Sequence, residues 1–195
     1  MGKILKHMIF ILVIGFFLLF FSRIELFTDA EETDKSITLL KAYQLGLEYA
    51  REIDRQAELL HINSVDDDKK SGMNGKKENW QMLIVLPNKD KRIGITIENQ
   101  KVTRTQMLDG VSLSYFIIRE NEMKFNSDEA VKKAINDFSL EPGGKDNYLF
   151  NGYHFKLIKD KDILFLTVVG DKNDNQMEVH FHATTGKYLG RTEHH

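Results

Sequence analysis

One succession of local patterns occurs twice along the chain, and it restricts the fold more than any other feature. Leu39, Leu40, Tyr43, Leu47, Ala50, Ile53 and Ala57 recur at three- and four-residue steps, the stripe of an amphipathic helix from about Lys35 to Arg55. Acidic Glu31, Glu32 and Asp34 crowd its start, where the helix dipole favours them. ELLHINSV (58–65) then predicts a strand, and the polar stretch 66–79 a loop. WQMLIVL (80–86) is a nearly unbroken apolar run, as a central strand requires. After the turn PNKDK, Ile93, Ile95 and Ile97 alternate with Arg92, Gly94, Thr96 and Glu98, the period of a half-buried antiparallel strand.

The same order returns further on. Asn126 or Ser127 caps a second helix, with Asp128 and Glu129 in its first turn and Ala130, Val131, Ala134, Ile135 and Phe138 as its apolar stripe. GYHFKLI (152–158), the apolar run ILFLTVV (163–169) and the alternating MEVHFHA (177–183) follow, separated by KDKD and GDKNDNQ turns. Two divergent copies of one unit are the economical reading. The expected class is α+β, each unit a helix packed on a three- to four-stranded antiparallel sheet. The units span 28–106 and 126–195. The connecting segment 107–125 is apolar enough to add a strand or to pack between them.

Residues 1–27 precede this body. A helix over the charge-free run Met8–Phe21 would be about 21 Å long, short of the roughly 30 Å hydrocarbon core. Residues 4–22 reach about 28 Å, provided Lys6 extends its ammonium to the headgroups. Lys3 and Lys6 stand before the run, while Glu25, Asp29, Glu31 and Glu32 outweigh Arg23 after it. This charge order predicts an N-terminal transmembrane anchor with its N-terminus in the cytoplasm and everything beyond Phe27 outside the cell. A cleaved signal peptide is the alternative, with Thr28-Asp29-Ala30 as the nearest approach to a cleavage site. Both export the remainder. The chain has no Cys, which excludes a lipid-modified cysteine anchor, a thiol nucleophile and a disulfide scaffold. Its net charge is −2, and residues after 27 carry −4, so nucleic acid is not an expected partner.

The second copy resembles a PepSY-type unit, a small bacterial extracytoplasmic module. Ser127-Asp128-Glu129-Ala130 with Ala134 is similar to that family's opening helix. Val179-His180-Phe181-His182-Ala183-Thr184-Thr185-Gly186-Lys187-Tyr188-Leu189 resembles its closing strand and turn, with Gly186 free to take a positive φ. The first copy departs from the pattern, with Asn99-Gln100-Lys101 where Thr-Gly would stand. An anchor followed by two such units resembles the membrane-anchored cell-wall regulators of Gram-positive bacteria. That resemblance implies a non-enzymatic interaction or regulatory module acting on an envelope protein, such as a peptidase or a wall-synthesis enzyme.

Few residues suggest chemistry. His180 and His182 lie two apart on a strand and so share a face with Glu178, the face on which a partner is expected. The alternative is a metal or small-ligand sensor built on His180 and His182, with His154, Glu178 or a remote carboxylate as third ligand. His194 and His195 end the chain and are left out of the site. Asp66-Asp67-Asp68 and Asp171-x-Asn173-x-Asn175 fail the calcium-loop pattern: Lys70 stands where the first needs an acceptor, and Gln176 and His182 replace the Gly and bidentate Glu of the second. Ser112 and Ser114 follow Gly110 without forming a nucleophile elbow, and no phosphate-binding or dinucleotide loop is present. The expectation is a protein without catalytic residues and without a cofactor. A secreted enzyme of unfamiliar type is the remaining rival.

Overall fold

The computed structural model describes residues 34–66, 71–110, 116–144 and 151–194. The expected anchor over 4–22, Ser112, Ser114, Asp67 and Asp68 lie outside the described residues. Lys35–His195 forms one compact unit.

Helix α1 (Leu39–Ile53) buries Leu39, Ala42, Tyr43, Leu47 and Ala50, the face that its apolar spacing dictates. It packs on β2 (Glu58–Ser64), β4 (Asn79–Leu86), β5 (Lys91–Glu98) and β6 (Lys101–Asp109). A two-residue ribbon, β1 (Ile37–Thr38) with β3 (Lys76–Lys77), precedes it in space. Helix α2 (Ser127–Phe138) packs on β8 (Ile163–Lys172) and buries Ala130, Val131 and Ala134. It is capped by Asn126 in a reciprocal box with Glu129, whose carboxylate accepts from the Asn126 backbone N–H at 3.1 Å. Strands β7 (His154–Asp160), β9 (Asn175–His182) and β10 (Tyr188–Glu193) complete the chain. The reversal into β10 rests on Gly186 at φ +67°, with its N–H donating to the His182 carbonyl at 2.8 Å.

The large sheet corrects the sequence expectation. It is a single eight-stranded antiparallel sheet in the order β10-β9-β8-β7-β2-β4-β5-β6, not two separate helix-on-sheet units behind a transmembrane helix. The join is β2 against β7, with His61, Ile62 and Asn63 opposite Ile158, Leu157 and Lys156. Left alone, each of these strands would expose a row of unpaired backbone N–H and C=O groups; pairing them removes two edges. The apolar cluster runs without a break across that join, from Trp80, Ile84 and Ile95 to Phe155, Leu166 and Phe181. The Trp80 and Phe155 rings stack across it at 6.2 Å. Within the segment 107–125, Met107–Asp109 belong to edge strand β6, and Ile118 is buried beside Leu59. The expected transmembrane helix falls outside the described residues, and no helix among the described residues is long and apolar enough to cross a membrane.

Pairing register sorts the side chains. Trp80, Met82 and Ile84 stand opposite Ile97, Ile95 and Ile93 and are buried under α1. Leu164, Leu166 and Val168 occupy the same face in the other half of the sheet. Residues of opposite parity form a second face that no helix among the described residues covers. It carries His61, Gln81, Leu83, Gly94, Thr96, Arg104, Lys156, Phe165, Thr167, Glu178, His180 and His182.

Candidate functional site

Glu178, His180 and His182 all lie on this uncovered face, on β9, where strand alternation predicts them. The structure ties them into the protein. The Lys156 ammonium donates to Glu178 Oε1 at 2.8 Å from β7, two strands away. His180 Nδ1 lies 2.9 Å from Thr167 Oγ1, and its Nε2 lies 3.1 Å from Thr192 Oγ1. His182 Nδ1 accepts from the Thr184 N–H at 3.2 Å. Burial pushes the His180 pKa below its ordinary value, and Lys156 adds to that while Glu178 opposes it. At neutral pH His180 is therefore a neutral imidazole held by two hydroxyls. Among the described residues no three His, Asp or Glu side chains converge as a metal site.

His154, considered above as a third ligand, is buried at the start of β7, opposite Val169 of β8. Its Nδ1 lies 3.2 Å from Ser64 Oγ, and burial with the nearby Lys77 charge lowers its pKa. The Asp171 carboxylate accepts from the Gly144 N–H at 2.9 Å and so works as a loop clamp.

The face has a second part, centred on β2, β4 and β5. A hollow of about 260 Å³ lies over Gly94, bordered by His61, Gln81, Leu83, Thr96, Arg104 and Gln106. An adjoining apolar hollow of about 660 Å³ includes Leu60, Phe116 and Ile158, and the two share His61 and Leu83. Ile158 is 48% exposed and Phe116 38%, high values for large apolar side chains on a sheet face. The two hollows therefore form one trough across the sheet, with Arg104 at the β6 end and, at the β7 end, Phe116 and Ile158 beside Lys159 and Asp160. Burial lowers the His61 pKa and keeps its imidazole neutral in the middle. The missing signal was the β2–β7 pairing. Without it, Ile158 and His61, remote in sequence, cannot be placed on one surface. What the trough can do chemically is bind: it brings arginines, amides and apolar side chains together, with Lys159 and Asp160 at its β7 end.

No family model matches this chain, and no curated protein does. The PepSY resemblance therefore rests on its quoted motif alone, and neither it nor a membrane span is carried forward as a description of the protein. Among solved structures, the chain is similar to a Clostridium difficile 630 protein described as a "putative lipoprotein", with a TM-score of 0.54 and 14% identity. The match covers 78% of this chain and 92% of that one. At such identity the likeness is one of fold.

Proposed function

We propose that this protein is a membrane-associated, extracytoplasmic interaction module that uses the uncovered sheet face to hold or restrain an envelope protein without doing chemistry on it. The observation that carries this reading is the trough itself, a surface with exposed Ile158 and Phe116 next to Arg104 and two glutamines. Large apolar side chains left uncovered beside polar ones are typical of a protein-binding surface. Extracytoplasmic placement is supported by Lys3 and Lys6 ahead of the charge-free run Met8–Phe21 and by the lipoprotein description of the structural neighbour.

The test is site-specific photo-crosslinking in living cells. A photoreactive residue at Gln81 or Ile158, on the uncovered face, is expected to trap one common protein. The same residue at Lys41 on α1 or Lys132 on α2 is expected not to. Equal labelling from both faces would overturn the reading, as would a body that protease added to intact cells leaves undigested. Zinc titration by calorimetry separates the sensor alternative: stoichiometric binding abolished by His180→Ala would favour it over docking.

A further inference from the structure

Three glycines stand in strands of the large sheet, and two have evident reasons. Gly170 is forced by packing, since a Cβ there would meet the Glu141 carbonyl at 2.4 Å, and Gly190 sits at a register shift of edge strand β10 with φ +158°. Gly94 has neither. Its φ is not positive, and a Cβ would find only the Gln106 carbonyl at 3.8 Å. A glycine inside a strand weakens it through backbone entropy and lost packing, and marks a place where another group comes close to the backbone. Among the described residues no group does so at Gly94; the space above it is the 260 Å³ hollow.

The rim of that hollow states what it would accept. The Arg104 guanidinium makes no ion pair or hydrogen bond among the described residues. Thr96, directly opposite it in the ladder, offers a hydroxyl, and Gln81 and Gln106 offer amides. No carboxylate borders the hollow. Arg92, on the same face of β5, donates through Nη2 to the Asp109 carbonyl at 3.1 Å, while its Nε is buried without an acceptor. A guanidinium fork beside amide groups suits a carboxylate followed by peptide bonds. From β6 to β7 the trough crosses four strand spacings, about 19 Å, which an extended peptide covers in about six residues. Two arginines do not make a polyanion groove.

We infer that the trough binds an extended, carboxylate-bearing peptide segment of the partner, with the carboxylate over Gly94 against Arg104 and an apolar side chain against Phe116 and Ile158. This rests on the interaction reading above and names the chemistry of its partner. The test uses the full chain in detergent and fluorescein-labelled six-residue peptides with glutamate at one end and phenylalanine at the other, in both orders, read by anisotropy. One order is expected to bind, and replacing its glutamate by glutamine is expected to weaken it by about tenfold, the loss of one charge-assisted contact. Arg104→Gln is expected to do the same. Gly94→Val is expected to abolish binding by filling the hollow, and Gly94→Ala to weaken it, with the melting temperature of Gly94→Ala unchanged or raised. Binding in neither order, indifference to the glutamate, or full binding by both Arg104→Gln and Gly94→Val would overturn the inference. Crosslinks from Gln81 and Ile158 that persist in Gly94→Val would leave the interaction reading standing while this one fails.

Discussion

Asp54 shows how one side chain holds an element boundary. It ends α1, and its carboxylate accepts from the Gln56 N–H at 2.9 Å, the Asn88 N–H at 2.8 Å and the Asn88 side-chain amide at 2.7 Å. Burial alone would raise its pKa, but these hydrogen bonds outweigh it and hold the carboxyl below the usual range. Because the folded pKa is the lower one, the stabilisation is complete above the unfolded value of about 4 and is lost as pH falls through the folded pKa. Asp54→Asn leaves one of these donors facing another amide, and we expect it to lower unfolding free energy by about 1–3 kcal/mol in urea titrations at pH 7. The deficit relative to wild type should shrink below about pH 4; a deficit independent of pH would contradict the assignment. In sequence, Asp54 reads as a polar residue after a helix. Its partner Asn88 is in a different turn, so the cluster was invisible until the chain folded.

At the scale of elements, the two helices meet at their N-termini. Ser127 Oγ accepts from the Leu39 N–H of α1 at 3.0 Å and donates to the Gly75 carbonyl at 2.7 Å. Asn126 Oδ1 accepts from both the Ser127 N–H at 2.8 Å and the Leu40 N–H at 3.2 Å. The cap residue of one helix thus satisfies orphan donors of the other, which lacks a side-chain cap of its own at Thr38. Ser127→Ala should cost about 1–3 kcal/mol by leaving buried partners unpaired, and should speed hydrogen exchange at Leu39 and Leu40 in α1 as well as in α2. Protection lost only in α2 would refute a shared cap. The sequence placed both helices and offered Asn126 or Ser127 as cap, because local spacing suffices for that. It gave no sign that this cap serves α1, since the bonds join residues more than eighty positions apart.

For the whole molecule, the decisive contact is β2 with β7. A sheet continuous through this pair makes the two ends of the chain share one core, and their unfolding should be cooperative. Leu157 lies opposite Ile62 and is 1% exposed. Leu157→Ala should remove about 2–5 kcal/mol. Trp80 is the only tryptophan, and it sits in the other half of the sheet. Its fluorescence midpoint in urea should therefore move together with the far-ultraviolet dichroism midpoint. A tryptophan transition left unmoved would mean two independent bodies.

Local periodicity was enough to mark α1, α2, β4, β5, β8 and β9, with the start of α1 placed four residues early and the end of β8 three residues short, because each buries one face and the side chains record which. It also put Glu178, His180 and His182 on a common side of β9. It did not reveal that the half-sheets fuse or that Ile158, His61 and Arg104 line one trough. Those depend on which backbone edges pair. Edge hydrogen bonding uses N–H and C=O groups that every residue but proline carries alike, so it leaves almost no mark in the order of side chains.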